Sequence, residues 1–191
     1  MSHSTIAWII LVGCLLFLFA AFNPSAMAFG AQGAAAKLEV IRRHERLWVL
    51  SQYAFGLGAV VTAAGYLLLA RSYGPQSAFG GLLNLVSVGM LAGALLWGIN
   101  LFACATDFEG FGNGTQPNWP FIAFTLLTLL GLAVWGYVFL QGGWPVWLGW
   151  GTLGLAVALF VLLLILKDMP PFVYYVISLE LVWVLFKSPP S

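Results

Sequence analysis

Residues 6–22 read IAWIILVGCLLFLFAAF, seventeen positions without a charge or an amide. Residues 159–167 read LFVLLLILK, apolar on every face until the closing lysine. A half-buried strand alternates apolar with polar, and a surface helix carries one apolar stripe. Neither stretch does either. Helices with apolar side chains all round belong in lipid, where every backbone group must be satisfied within the segment. The dyad alternation of a membrane β-barrel is missing from both.

Working outward, a helix needs about 20 apolar residues to cross roughly 30 Å of hydrocarbon. Six segments qualify or come close: 6–22, 47–70, 78–104, 120–140, 144–166 and 171–186. The expected fold is all-α, a polytopic membrane helical bundle with six transmembrane helices and short loops, forming a single integral domain over 1–191. The last segment is short, about 24 Å by helical rise, so local bilayer thinning or the Lys187 stem must make up the difference.

Composition agrees. The chain has 191 residues, 62% hydrophobic and 7% charged, against about 25% charged in soluble domains. That excludes a water-soluble globule and a disordered chain. A formal net charge of +1 leaves no electrostatic footprint for nucleic acid. Two Cys and two His exclude a disulfide scaffold and most metal sites.

The breaks have clear chemistry. Tyr73-Gly74-Pro75, Gln141-Gly142-Gly143 before Trp144-Pro145, and Met169-Pro170-Pro171 separate consecutive spans. Pro stands inside a helix start without losing a needed donor. Trp48, Trp119, Trp144 and Trp147 fall near span ends, as interfacial anchors do. Ala26-Met27-Ala28 fits a signal-peptide cleavage pattern, but MSHST has no Lys or Arg and the apolar stretch is long. It therefore reads as a retained span. Leu11-Val12-Gly13-Cys14 resembles a lipoprotein box, yet eight apolar residues follow the Cys where a lipidated Cys closes the apolar region.

Orientation follows the Lys/Arg bias. The side with the loops after spans one, three and five holds Lys37, Arg42, Arg43, Arg46 and Lys167; the other holds Arg71 and Lys187. The first loop is expected in the cytoplasm and both termini on the other side. Gly65-Tyr66 and Gly136-Tyr137 are too little to establish an inverted repeat.

Glu180, in VYYVISLELVWVLF, is the sharpest functional signal. A carboxylate at the bilayer centre costs several kcal/mol, and such residues usually face the bundle interior. Val173, Val176, Ile177, Trp183, Val184 and Lys187 share its helical face. The expectation is a largely protonated side chain that donates to Asn84, Asn100 or a carbonyl on another span. Asn84 and Ser87 share one face. Gly89 and Gly93 form a small-xxx-small pair; Ala54, Gly58, Thr62 and Gly65 form a small stripe. Both read as helix-packing surfaces.

The segment AAAKLEVIRRHERLW, 34–48, carries the one charge cluster. Residues 34–46 read as a basic interfacial helix continuing into span two, with Glu39 and Arg43 spaced for an ion pair. Lys37, Arg42, Arg43 and Arg46 there suit anionic lipid or a partner. His44 is crowded by arginines, and no span contains His, so haem and histidine-box chemistries lack ligands. The loop 106–120 holds Asp107, Glu109 and Asn113 without EF-hand spacing; it reads as an acidic, Gly-rich surface loop. Asn113-Gly114-Thr115 is a glycosylation sequon on the expected cytoplasmic side. No nucleophile–base pair or cofactor ligand set is apparent.

Three functions are consistent with this. The first is an accessory, structural subunit of a larger membrane complex, binding membrane lipids, other integral subunits and even pigment tails. The second is a small proton-linked transporter or channel using Glu180. The third, a lipid enzyme, lacks a mate for Glu180.

Overall fold

The computed structural model of the protein describes residues 1–74, 77–166 and 172–187. All regular structure among them is helical: α1 (His3–Ala21), α2 (Met27–Gly30), α3 (Ala34–Arg43), α4 (Glu45–Ser72), α5 (Gly80–Thr106), α6 (Phe108–Gly112), α7 (Trp119–Gln141), α8 (Val146–Leu166) and α9 (Phe172–Lys187). Five of these, α1, α4, α5, α7 and α8, are long and apolar enough to cross a membrane. The expected sixth span is the 16-residue α9. At about 24 Å it is shorter than a full hydrocarbon thickness, so five of the described helices rather than six reach spanning length, and α9 runs back beside α1 as a shorter one.

The long helices stand side by side, and successive ones run antiparallel. Small residues set the closest seam. A Cβ placed on Gly58 of α4 would lie 2.8 Å from both the Gly13 carbonyl oxygen and the Phe17 nitrogen of α1. Backbones therefore approach without intervening side chains, as membrane helices do where small residues meet. Gly56 faces Gly98 across α4 and α5, Gly93 faces Phe124 across α5 and α7, and Gly136 faces Leu153 across α7 and α8. α9 returns along α1: Tyr175 stacks on Phe17 at 3.7 Å and Phe186 meets Trp8 at 5.3 Å. Val173 of α9 packs beside Leu129 and Leu159.

The interior is aromatic. Phe17, Tyr66, Trp97, Trp135, Phe139 and Tyr175 belong to one apolar core. Trp97 stacks on Phe124 with ring centroids 4.6 Å apart. The outside is equally oily: Leu85, Ile99, Leu130, Trp150 and Ile165 are all exposed. In water such a belt is an aggregation liability; in lipid it is the solvated surface. This is a multi-pass membrane protein.

The two ends differ. One carries the segments after α1 and α5. There α3 folds over α6, and Ala28, Ile41 and Trp48 form a separate small core with Phe108 and Phe111. The expected continuous helix from 34 into α4 is broken at His44, whose φ of −127° and ψ of 36° leave the helical region. Ile41 before the break and Trp48 after it both enter that core. Asn23 closes α1, donating to the Phe19 and Ala20 carbonyls and to Ser51 Oγ at 2.6 Å.

The opposite end carries the tight turns. Gly143, with φ +74°, makes the turn between α7 and α8 in a conformation that favours glycine. Trp144 then donates to the Tyr73 hydroxyl at 2.7 Å. Trp48 likewise donates to the Cys104 carbonyl at 3.1 Å. Both were expected as interfacial anchors, but both are buried; an indole N–H with an acceptor in reach is more stable inside. Trp119 and Trp147 are exposed. Pro75, Lys167, Asp168 and the Met169-Pro170-Pro171 break lie outside the described residues.

Candidate functional site

The site is built around Glu180. α9 uses Tyr174, Tyr175, Ile177, Ser178, Leu181, Val182, Val184 and Leu185 to fill the bundle. That leaves Val176, Glu180, Trp183 and Lys187 exposed along one stripe at helical spacing. Glu180 is therefore directed away from the bundle, contrary to the inward orientation expected of an intramembrane acid. Ile177 and Val184, expected on its face, are buried. The reason lies in α9's neighbours: nearly every residue of this helix is apolar, so its orientation is chosen by which side chains fit against α1.

Depth follows from the ring contacts. Tyr175 lies at Phe17 and Phe186 at Trp8, which sets Glu180 abreast of Val12 and Gly13, midway along α1. Among the described residues it has no hydrogen-bond or ion-pair partner; the one ion pair there joins Arg42 and Glu109 at 4.0 Å. Lys187 on the same stripe sits 4.1 Å from the Trp183 ring centroid, a cation–π contact. It is seven residues on, about 10 Å along the axis.

The expected donors and acceptors for Glu180 are spent elsewhere. The Asn84 amide donates to the Gly80 carbonyl of its own helix at 2.7 Å. Asn100 approaches Cys104 Sγ at 4.0 Å. Ser87 is buried and accepts from Trp135 Nε1 at 3.2 Å. These three belong to α5, away from the outer face of α9, so the expected polar set is not brought together. Of the packing residues, Gly58 and Thr62 lie on the α1 seam and Gly93 on the α7 seam; Gly89 meets Leu127 only at an ordinary 3.6 Å.

A second polar layer escaped the sequence reading. Cys14 of α1 lies beside Thr62 of α4 and Ser178 of α9. The hydroxyls of Tyr66 and Ser178 are 3.2 Å apart, and Ser178 also donates to the Tyr174 carbonyl at 3.1 Å. Tyr66 stacks with Tyr174 and meets Trp135 edge-on. The side chains of Tyr175 and Gln52 are buried with no hydrogen-bond partner among the described residues. The adjacent tyrosines 174 and 175 inside an apolar run were the available signal. These groups are neutral, and their ordinary pKa values lie well above neutrality. The layer exchanges hydrogen bonds between helices; it does not supply a charge.

The basic rim lies at the α3 end. Arg42, Arg43 and Arg46 are exposed and Lys37 is half-buried, 5.6 Å from the Phe111 ring centroid. The expected Glu39–Arg43 pair does not form; Arg42 instead reaches Glu109 on α6, because α3 is folded onto that helix. Asp107 caps α6 by accepting from Gly110 N at 2.9 Å and holds Gln116 Nε2 at 2.6 Å. No His/Cys/Asp/Glu group suited to a metal ion occurs among the described residues. Outside the spans, burial pushes the Tyr73 phenol above its ordinary value, while the hydrogen bond from Trp144 acts in the opposite sense. Comparison with known families, with curated proteins and with solved structures returned no match.

Proposed function

We propose that the protein is an accessory, structural subunit of a larger membrane assembly, contributing helix–helix and lipid contacts and, where the assembly holds pigment, contacts to pigment tails. The observation that carries this reading is the outward placement of Glu180 at mid-depth. A polar group there is expensive against lipid and inexpensive against another protein. A proton-linked transporter would need the same carboxyl on an internal water path. Instead, the interior beside α9 is occupied by stacked rings, which favours the accessory role.

The orientation that accompanies it puts the α3 end in the cytoplasm. Lys37, Arg42, Arg43 and Arg46 sit at that end, against Arg71 and Lys187 at the other. Both termini then lie on the non-cytoplasmic side, and the basic rim meets anionic headgroups. Native mass spectrometry after extraction in mild detergent is the test. A stoichiometric complex with other integral membrane chains is expected. A monodisperse lone monomer overturns the proposal.

A further inference from the structure

We infer that the stripe Val176–Glu180–Trp183 on α9 is the seat of a transmembrane helix from a different polypeptide, and that this helix presents a basic side chain at mid-depth. The inference deepens the accessory-subunit reading and rests on it. Three observations support it. Glu180 is exposed, without a partner among the described residues, and level with the middle of α1. Its surroundings are apolar: Val176 and Trp183 on α9 and Val12 and Leu15 on neighbouring α1 are all exposed. The complement to a carboxyl in that setting is a cation or strong donor, since an ionised pair forms charge-assisted hydrogen bonds that lipid cannot.

A second copy of this chain offers no cation at that depth. Copies related by an axis along the membrane normal keep every residue at its own depth. The chain's cations lie at helix ends: Lys37, Arg42, Arg43 and Arg46 at the α3 end, Arg71 and Lys187 at the other. Lys167 stands in sequence one residue past the end of α8. A symmetric pair would oppose two Glu180 carboxyls, not a carboxyl and a cation. The occupant is therefore another chain.

The test uses the full-length protein in phosphatidylcholine vesicles with polyleucine helices of about 20 residues. One carries a central Lys, one a central Glu, and one no substitution. Energy transfer from the protein's tryptophans to a dansyl group on the peptide reads association. The Lys peptide is expected to bind the native chain at least about tenfold better than the unsubstituted one. The preference is expected to vanish in Glu180→Gln while the thermal unfolding of that variant stays unchanged, because the side chain supports no packing. Equal binding of the Lys and unsubstituted peptides, a preference that survives Glu180→Gln, or self-association of the chain that depends on Glu180 overturns the inference. Native mass spectrometry separates the two levels. A complex that persists in Glu180→Gln refutes the docking seat and leaves the accessory role standing; a wild-type monomer refutes the role itself.

Discussion

Gly58→Ala tests the seam on which the bundle is built. The added Cβ would stand 2.8 Å from the Gly13 carbonyl oxygen, 2.8 Å from the Phe17 nitrogen and 3.0 Å from the Phe17 Cβ. Ordinary Cβ contacts begin at 3.4 Å, so α1 must retreat by about 0.6 Å in an interior packed to crystal density. Two of the three opposing atoms are backbone, and no rotamer change relieves them. Overpacking of this kind costs about 1–3 kcal/mol. The upper part of that range applies, because a shift of α1 also disturbs the Phe17 ring stacked on Tyr175 at 3.7 Å.

The control is the same substitution at Gly154, which is helical, exposed and has nothing within 4 Å of its would-be Cβ. There alanine adds about 0.5–1 kcal/mol through reduced backbone freedom. Identical chemistry thus moves stability in opposite directions at two positions. Equilibrium unfolding in mixed dodecyl maltoside and SDS micelles, followed by far-ultraviolet circular dichroism, reads both. A Gly58→Ala variant as stable as wild type, or shifted in the same direction as Gly154→Ala, would falsify the close-approach argument.

Ser87→Ala removes the acceptor of the buried Trp135 N–H and is expected to cost about 1–3 kcal/mol in the same titration; a neutral result means that the indole is satisfied elsewhere. Because burial raises the folded-state Tyr73 pKa, its neutral phenol is the form the fold prefers. That contribution is whole below the ordinary phenol value of about 10 and is lost as pH rises through the raised value. Tyr73→Phe should therefore show a smaller alkaline loss of stability than wild type, and an identical pH profile would contradict this. Replacing Arg42, Arg43 and Arg46 together by Gln is expected to abolish preferential retention of anionic over zwitterionic lipid, at about 1 kcal/mol per basic residue; unchanged lipid selectivity by mass spectrometry counts against the basic rim as a headgroup site.

Particular residues mark where sequence reasoning reaches its limit. The spans were legible because the bilayer requires an apolar run, and charge, Gly and Pro end it. The break at His44 was not legible: AAAKLEVIRRHERLW contains good helix formers and neither Gly nor Pro, and Ile41 and Trp48, seven apart, would share one face of an unbroken helix as well. Trp48 and Trp144 illustrate the same limit. Indole suits both an interface and a buried site, and the nearby Cys104 carbonyl and Tyr73 hydroxyl decide between them. The Cys14–Thr62–Tyr66–Ser178 layer joins residues from three helices whose proximity no local pattern encodes.

By itself the amino-acid order determined solvent and depth. Hydropathy summed along a segment decides whether it lies in lipid, and distance from the segment's ends decides how deep Glu180 sits. Direction around the helix was decided by the tertiary structure alone. α9 is apolar on almost every side, so burial energy hardly distinguishes one rotation from another. The fit of Tyr175 against Phe17 and of Phe186 against Trp8 breaks the tie, and that fit turns the carboxyl outward.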